Sequence, residues 1–197
     1  MQFSPTTDPI QAFATWMTEA KAQPTIREPT AMALATALPT GEVHNRVVLC
    51  KDWTGGQLTF FTNYLSRKGR DLDANAHAGA VFYWDPLFRQ VKFCGPVTRT
   101  NRQVSIDYWD SRPRESQLSQ YISRQSETAQ SREELESAWQ AADTKFSGRK
   151  IPCPEHWGGY QLQIRSVEFW QGLPNRLHDR FVFEKNLDHW TFRQLYP

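Results

Sequence analysis

Cysteine is scarce in this chain: Cys50, Cys94 and Cys153 are the only three among 197 residues, odd in number and far apart. No CxxC pair and no Cys/His metal spacing is present, which argues against a disulfide framework and a zinc site and for three reduced thiols in a reducing compartment. No apolar run approaches the roughly 18 residues a membrane-spanning helix needs, and residues 1–9 carry neither a basic stretch nor an apolar core of a leader. The expectation is a cytoplasmic protein with no membrane contact. Charge of one sign is also in short supply: 23 Lys and Arg face 21 Asp and Glu, for a net charge of +2. A polycation built for nucleic acid is thereby excluded. There is no GxGxxG after a strand, no GxxxxGK[ST], no GxSxG and no HExxH. Dinucleotide, nucleoside-triphosphate, hydrolase-elbow and zinc-protease sites therefore have no support.

Aromatic rings are plentiful instead. Eight Trp, twelve Phe and six Tyr make up 13% of the chain, so large rings supply much of the buried area and are available to flank a planar ligand. The length suits one domain spanning 1–197 with a single hydrophobic core. Asp8-Pro9 reads as an N-cap and first-turn proline, followed by Ile10, Phe13, Trp16 and Met17 on one face, which predicts a helix over 9–22. Strands are expected at 31–38, 43–51, 57–62, 79–84 and 89–100, separated by turns at Pro39-Thr40-Gly41 and Gly55-Gly56. A helical insert covers 101–146, broken by Pro113 and restarted by the capping pattern at Ser131. One long strand at 160–171 and two more at 180–184 and 189–195 complete an antiparallel sheet of six to eight strands. The expected class is mainly β with peripheral helices, most simply a barrel.

Four basic-polar segments carry the chemistry. In the first, Arg46 and Lys51 share a predicted strand but stand an odd number of residues apart. They face opposite sides unless a strand end or irregularity intervenes, and as a lone pattern they read first as solvated charges. In the second, Phe61-Thr62 ends a strand and Ser66 caps a helix whose first turn holds Arg67 and Lys68. Cations are disfavoured at that end of a helix dipole, unless an anion binds there. In the third, Tyr108, Arg112 and Ser116 recur at spacings of four, giving either a second phosphate clamp or a solvent-facing stripe. In the fourth, Arg176, His178 and Arg180 alternate with Leu177 and Asp179, and an extended chain would point all three to one side. Two anion clamps with aromatic walls suit two phosphorylated small molecules side by side.

These segments resemble the pyridoxine 5′-phosphate oxidase family. The run Glu168-Phe-Trp-Gln followed by Arg176-Leu-His-Asp-Arg180 follows that family's long signature. Pro29–Met32, Arg46–Lys51, Phe61-Thr-Asn, Ser66–Lys68, Phe82–Trp84, Arg89–Val91, Ser111–Pro113, Ser116-Gln117, Gln125-Ser126 and Trp157–Gly159 are similar too, collinearly from about residue 8 onward. The resemblance implies an FMN-binding antiparallel split β-barrel, a homodimer with FMN at the subunit interface. The implied FMN contacts are Arg46, Lys51, Phe61, Thr62, Arg67, Lys68, Gln90, Gln125, Ser126, Trp170 and Arg180. Lys51, Tyr108, Arg112 and Ser116 are implied to hold the substrate phosphate, and Arg176 and His178 to act beside the pyridine ring as the catalytic pair. The implied reaction moves a hydride from C4′ of pyridoxine or pyridoxamine 5′-phosphate to flavin N5, with O2 as final acceptor and pyridoxal 5′-phosphate as product. Alternatives within the same resemblance are an FMN oxidase of another ring substrate, of the phenazine-biosynthesis type, and a non-catalytic flavin- or B6-phosphate-binding barrel. The sequence departs from the family pattern at Asp110, where a carboxylate is expected near the substrate clamp, and at Gln194. It also shows no basic segment with Arg and Tyr ahead of the first helix.

Overall fold

The protein is described by a computed structural model covering residues 3–187 and 189–197. Helix α1 (Pro9–Lys21) begins where Asp8 accepts hydrogen bonds from the Ile10 and Gln11 amides, satisfying donors that have no partner within the helix. It lays Phe13, Trp16 and Met17 onto the sheet. Phe13 meets Phe93 and Phe82 at centroid separations of 4.8 and 5.1 Å, and burying each such ring stabilises the fold by about 1.5–3 kcal/mol.

β1 (Ala31–Ala37) and β2 (Val43–Leu49) form a hairpin whose turn places Gly41 at φ 91°. β1 buries Met32, Leu34 and Thr36 on one face and carries only alanines on the other. β4 (His77–Trp84) lies beside β1, and β5 (Arg89–Arg99) beside β4. On β5 the alternation holds as expected, with Val91, Phe93, Gly95 and Val97 facing inward. β3 (Gln57–Asn63) pairs with β6 (Trp157–Gln163), and β6 with the end of β5. The ring β1-β2-β3-β6-β5-β4 closes through one contact: Lys51 N donates to Thr59 O, and Thr59 N to Asp52 O. Beyond that bridge β2 and β3 part, so the barrel is split. Outside the ring, β5 also pairs with β7 (Ser166–Gln171), which continues the sheet through β8 (Asp179–Asn186) and β9 (His189–Leu195). The described sheet therefore has nine strands, rather than six to eight.

The expected single strand over 160–171 is two strands. Cys94 pairs with Ser166 but Val97 with Leu162, so two residues of β5 oppose three on the other chain, a bulge. Gly95 permits it, since a Cβ there would run into the Gln163 carbonyl. Burial switches from Tyr160, Leu162 and Ile164 to Val167 and Phe169 across this step. β6 thus serves the barrel and β7 the outer extension.

The insert folds as α3 (Arg102–Asp110), α4 (Arg114–Ile122) and α5 (Arg132–Lys145), preceded in the chain by α2 (Arg67–Ala74). Pro113 separates α3 from α4 as expected. Trp109, Leu118, Ala142, Phe146 and Ile151 form a second hydrophobic cluster that joins the sheet through Trp157. No described helix is long and apolar enough to cross a membrane.

Candidate active site

The split between β2 and β3 opens onto a cavity of about 1080 Å³ roofed by α2, the α3–α4 corner and the 125–126 segment. Arg46, Lys51, Phe61, Thr62, Arg67, Lys68, Tyr108, Arg112, Ser116, Gln125 and Ser126 all line it. Arg46 and Lys51 both line it because β2 ends at Leu49 and Lys51 lies beyond it, where the backbone bonds to Thr59 of β3, so the strand parity does not carry through.

Lys68 is the most confined cation, 7% exposed. Its Nζ donates to Thr62 Oγ1 at 3.0 Å, Gln125 Oε1 at 2.9 Å and Ser66 Oγ at 3.3 Å, all neutral acceptors. Burial, and then the neighbouring Arg46 charge, push its pKa down to about 8, against the opposing pull of Asp71. Burial also lowers the Arg46 guanidinium, which Asp71 partly offsets. The cluster holds more positive charge than its own carboxylates neutralise at close range, which is what an anion site requires. The amides at the start of α2 contribute less than the sequence suggested. Ser126 Oγ accepts from Arg67 N at 3.2 Å and Ser66 Oγ from Gly69 N at 3.4 Å, so side-chain cations supply most of the attraction. Ser126 holds φ 74° to reach that amide, a conformation that costs a non-glycine residue about 1 kcal/mol or more.

A second cationic group stands on the helical insert. Arg112 Cζ lies 5.0 Å from the Trp157 ring and 5.6 Å from that of Trp109, and its buried NH1 has no hydrogen-bond partner among the described residues. Burial lowers this guanidinium too. A buried donor without an acceptor costs about 1–3 kcal/mol, a cost that an anionic ligand would remove. Phe61 and Tyr108 stack at 4.0 Å, with Trp157 near-parallel beside them at 5.6 and 6.2 Å, giving the cavity a wall of parallel aromatic rings. Gly158 and Gly159 let β6 run under this wall, since a Cβ on either would meet Tyr64, Ser105 or Thr100. Asp110 does not add charge here. It takes an ion pair from Lys150 at 2.6 Å and borders a separate small hollow with Ile106 and Cys153.

Gln90, Trp170, Arg176, His178 and Arg180 do not line this cavity. Gln90, Trp170 and Arg180 form one row across β5, β7 and β8. Arg180 is fixed by Glu168, with Nε and NH2 at 2.9 and 2.8 Å from Oε1, and by Tyr196 O. The expectation that Arg176, His178 and Arg180 lie along one extended chain is overturned. Residues 174–176 form a 3-10 turn with Asn175 at φ 58° and Arg176 at φ 60°, and the strand begins only at Asp179. Pro174 and the two left-handed residues turn the chain, so alternation does not apply. Arg176 is exposed. His178 packs 4.8 Å from Trp170, and its Nδ1 accepts the Leu173 amide at 3.1 Å, which leaves Nε2 to carry the proton of the neutral ring.

His44 and Asp71 were not anticipated. His44 shares the inward face of β2 with Arg46 and lines the cavity. Asp71, 2% exposed, accepts from Thr36 Oγ1 at 2.6 Å and contacts His44 Nδ1 at 3.1 Å and Arg46 NH2 at 3.7 Å. Strand parity with Arg46 was the available signal for His44; Asp71 depends on how α2 docks over β1 and β2, which no local pattern shows.

Residues 18–146 match the family described as pyridoxamine 5′-phosphate oxidase, and residues 157–197 match the pyridoxine 5′-phosphate oxidase C-terminal dimerisation region. The pyridoxine/pyridoxamine 5′-phosphate oxidase of Deinococcus deserti is 45% identical over 96% of this chain and 89% of its own length. Among solved structures, PhzG from Burkholderia lata 383, in complex with tetrahydrophenazine-1-carboxylic acid, superposes with a TM-score of 0.93 at 28% identity, covering 100% of this chain and 98% of that one. A pyridoxamine 5′-phosphate oxidase-related FMN-binding protein from Nostoc punctiforme gives a TM-score of 0.76 at 17% identity, with all of both chains covered, and supports the fold alone. The split barrel, the matched regions and the relatives agree: the chain belongs to the pyridoxine/pyridoxamine 5′-phosphate oxidase family of oxidoreductases.

Proposed function

We propose that the protein is an FMN-dependent oxidase that converts pyridoxine and pyridoxamine 5′-phosphates to pyridoxal 5′-phosphate, acting as a homodimer. The observation that carries this reading is the pairing, in one cavity, of the Lys68 cluster with the unsatisfied Arg112 guanidinium beside a wall of parallel aromatic rings. One set suits the phosphate of the cofactor, the other that of a small phosphorylated substrate. Arg46, Arg67, Lys68 and Ser126 would hold the FMN phosphate, with Thr62 and Gln125 beside it. Lys51, Tyr108, Arg112 and Ser116 would hold the substrate phosphate. When bound, FMN supplies a two-electron acceptor that O2 restores, releasing hydrogen peroxide. From pyridoxine phosphate the products are aldehyde and peroxide; from pyridoxamine phosphate one water is consumed and ammonia leaves as well.

Gln90, Trp170 and Arg180, with Arg176 and His178, would close the cavity of the opposite protomer, in line with the match of 157–197 to a dimerisation region. Arg176, exposed on a strained turn, would lie over the pyridine ring and align C4′. His178, its tautomer set by the Leu173 amide, would donate Nε2–H to a ring substituent. Losing one such positioning contact costs on the order of tenfold to a thousandfold in rate.

The likeness to PhzG supports a second reading, an oxidase of a phenazine-type ring. The Tyr108, Arg112 and Ser116 group weighs against it, since two hydroxyls and a guanidinium lining one cavity offer more donors than the single carboxylate of such a tricycle uses, and suit the three oxygens of a phosphate. Peroxide release by the flavin-loaded protein separates the two. Turnover with pyridoxine 5′-phosphate and none with a dihydrophenazine carboxylate is expected; the reverse overturns the proposal.

A further inference from the structure

His44 makes contacts on both ring nitrogens that bear on the cationic end of the cavity. Its Nδ1 faces the buried Asp71 carboxylate at 3.1 Å, so Nδ1 carries the proton. In the neutral ring Nε2 is then an acceptor, and Arg67 NH1 lies 3.0 Å from it. Glu42 Oε1 lies 2.8 Å from the same Nε2. An acceptor can bond to Nε2 only when it bears a proton, and a guanidinium only when it does not. The two contacts therefore belong to opposite charge states of His44.

Asp71 anchors the arrangement from below. It also faces Arg46, whose NH1 donates to Thr36 Oγ1 at 2.8 Å and Leu34 O at 3.1 Å. The charged groups around His44 are thus Glu42 and Arg46 from its own hairpin, and Arg67, Lys68 and Asp71 from α2. Arg67, 56% exposed along its side chain, has a flexible stem and, among the described residues, a single long 4.0 Å ion pair with Glu42 besides the imidazole contact. What fixes it toward the cavity is His44.

We propose that His44, with its tautomer set by Asp71, is a positioning residue that holds Arg67 for the phosphate of the cofactor and releases it on protonation. This inference rests on the flavin-phosphate assignment above. A neutral His44 accepts the Arg67 N–H and presents the remaining guanidinium donors to the phosphate. A protonated His44 gives Nε2–H to Glu42 and repels Arg67, so the grip loosens once the ring takes up its second proton. The added positive charge of His44 acts the other way, and the proposal is that geometry outweighs it, because an oriented charge-assisted bond is worth more than a screened charge at an open cavity.

The test is titration of the flavin-free protein with FMN, followed by quenching of flavin fluorescence, between pH 5.5 and pH 8.5. At pH 8, His44→Phe weakens binding roughly tenfold, the loss of one charge-assisted hydrogen bond. His44→Gln, whose amide oxygen can still accept from Arg67, restores most of that loss. In an Arg67→Ala background, His44→Phe has no further effect. The ratio of wild-type to His44→Gln affinity, which cancels the titration of the FMN phosphate itself, falls with decreasing pH. Equal affinities for wild type and His44→Phe, an undiminished effect without Arg67, or a ratio that rises toward low pH each overturn the proposal while leaving the flavin assignment standing. A wild-type chain that takes up no FMN overturns both.

Discussion

Lys68 is the residue at which the physical chemistry of the site is most concentrated. Its ammonium is buried among Thr62, Ser66 and Gln125, with a pKa pushed down to about 8. In the unfolded chain it would titrate at about 10.4. Between these values the unfolded state binds the extra proton, so this residue's penalty on the empty fold is present in full below pH 8. It fades as pH rises, a change of about 3 kcal/mol in total. Cys50 and Tyr160, both raised to about 12 by burial, act oppositely in alkali, so the Lys68 contribution is read as the difference between wild type and Lys68→Met. A phosphate beside Nζ favours the ammonium. FMN binding at pH 8.5 should therefore take up a substantial fraction of a proton, measured by calorimetry in two buffers of different ionisation enthalpy. Lys68→Met should abolish that uptake; an unchanged uptake would place the titrating group elsewhere. At this scale the sequence was informative where cations sat against a local rule, as at the start of α2. It was silent on Asp71, which belongs to the site only through the docking of α2.

At the scale of elements, the bulge opposite Gly95 decides how one run of chain serves two structures. It rotates the strand by one residue, so that Tyr160 and Leu162 face the barrel while Val167 and Phe169 face the core of the extension. Gly95→Ala places a methyl group against the Gln163 carbonyl, a backbone atom that cannot swing aside. The expected cost is about 3 kcal/mol, or a fall of roughly 6–12 °C in melting temperature for a domain of this size; a drop under about 2 °C would show that β6 and β7 can re-register. The shift of apolar residues from even to odd positions after Ile164 marked this break in the sequence, but a window reading alternation alone passes over it. The 174–176 turn is a comparable case. Pro174 signalled it, yet the alternating cations suggested an extended segment, and only the left-handed Asn175 and Arg176 show otherwise. Most strand positions along the chain, the turns at 39–41 and 55–56, the Asp8 and Ser66 caps and the Pro113 break were legible, because each rests on local backbone chemistry; the order of the strands in the sheet was not. The ring closure at Asp52–Thr59 was not, because it joins segments by a single pair of hydrogen bonds.

Across the whole molecule the proposed site residues fall into two groups, one lining the split and one on the β5-β7-β8 row with its adjoining turn. On the homodimer reading each cavity is completed by the row of the other protomer. Two chains defective in different groups should then complement each other. Lys68→Met and Arg180→Ala proteins are each expected to be nearly inactive. Mixed after reversible dissociation, they should regain about a quarter of wild-type activity, since half the dimers are mixed and each mixed dimer has one intact site. No recovery, with mixed dimers confirmed by mass, would mean that each site is built within one chain.

The central claim is that this cavity brings a B6 phosphate to a flavin that oxidises it. The most direct test is the visible spectrum of the purified, FMN-loaded protein before and after anaerobic addition of pyridoxine 5′-phosphate. Bleaching of the yellow absorbance in proportion to substrate, with recovery and pyridoxal 5′-phosphate on admitting air, is the predicted result. A flavin that stays oxidised in the presence of saturating substrate would contradict the account.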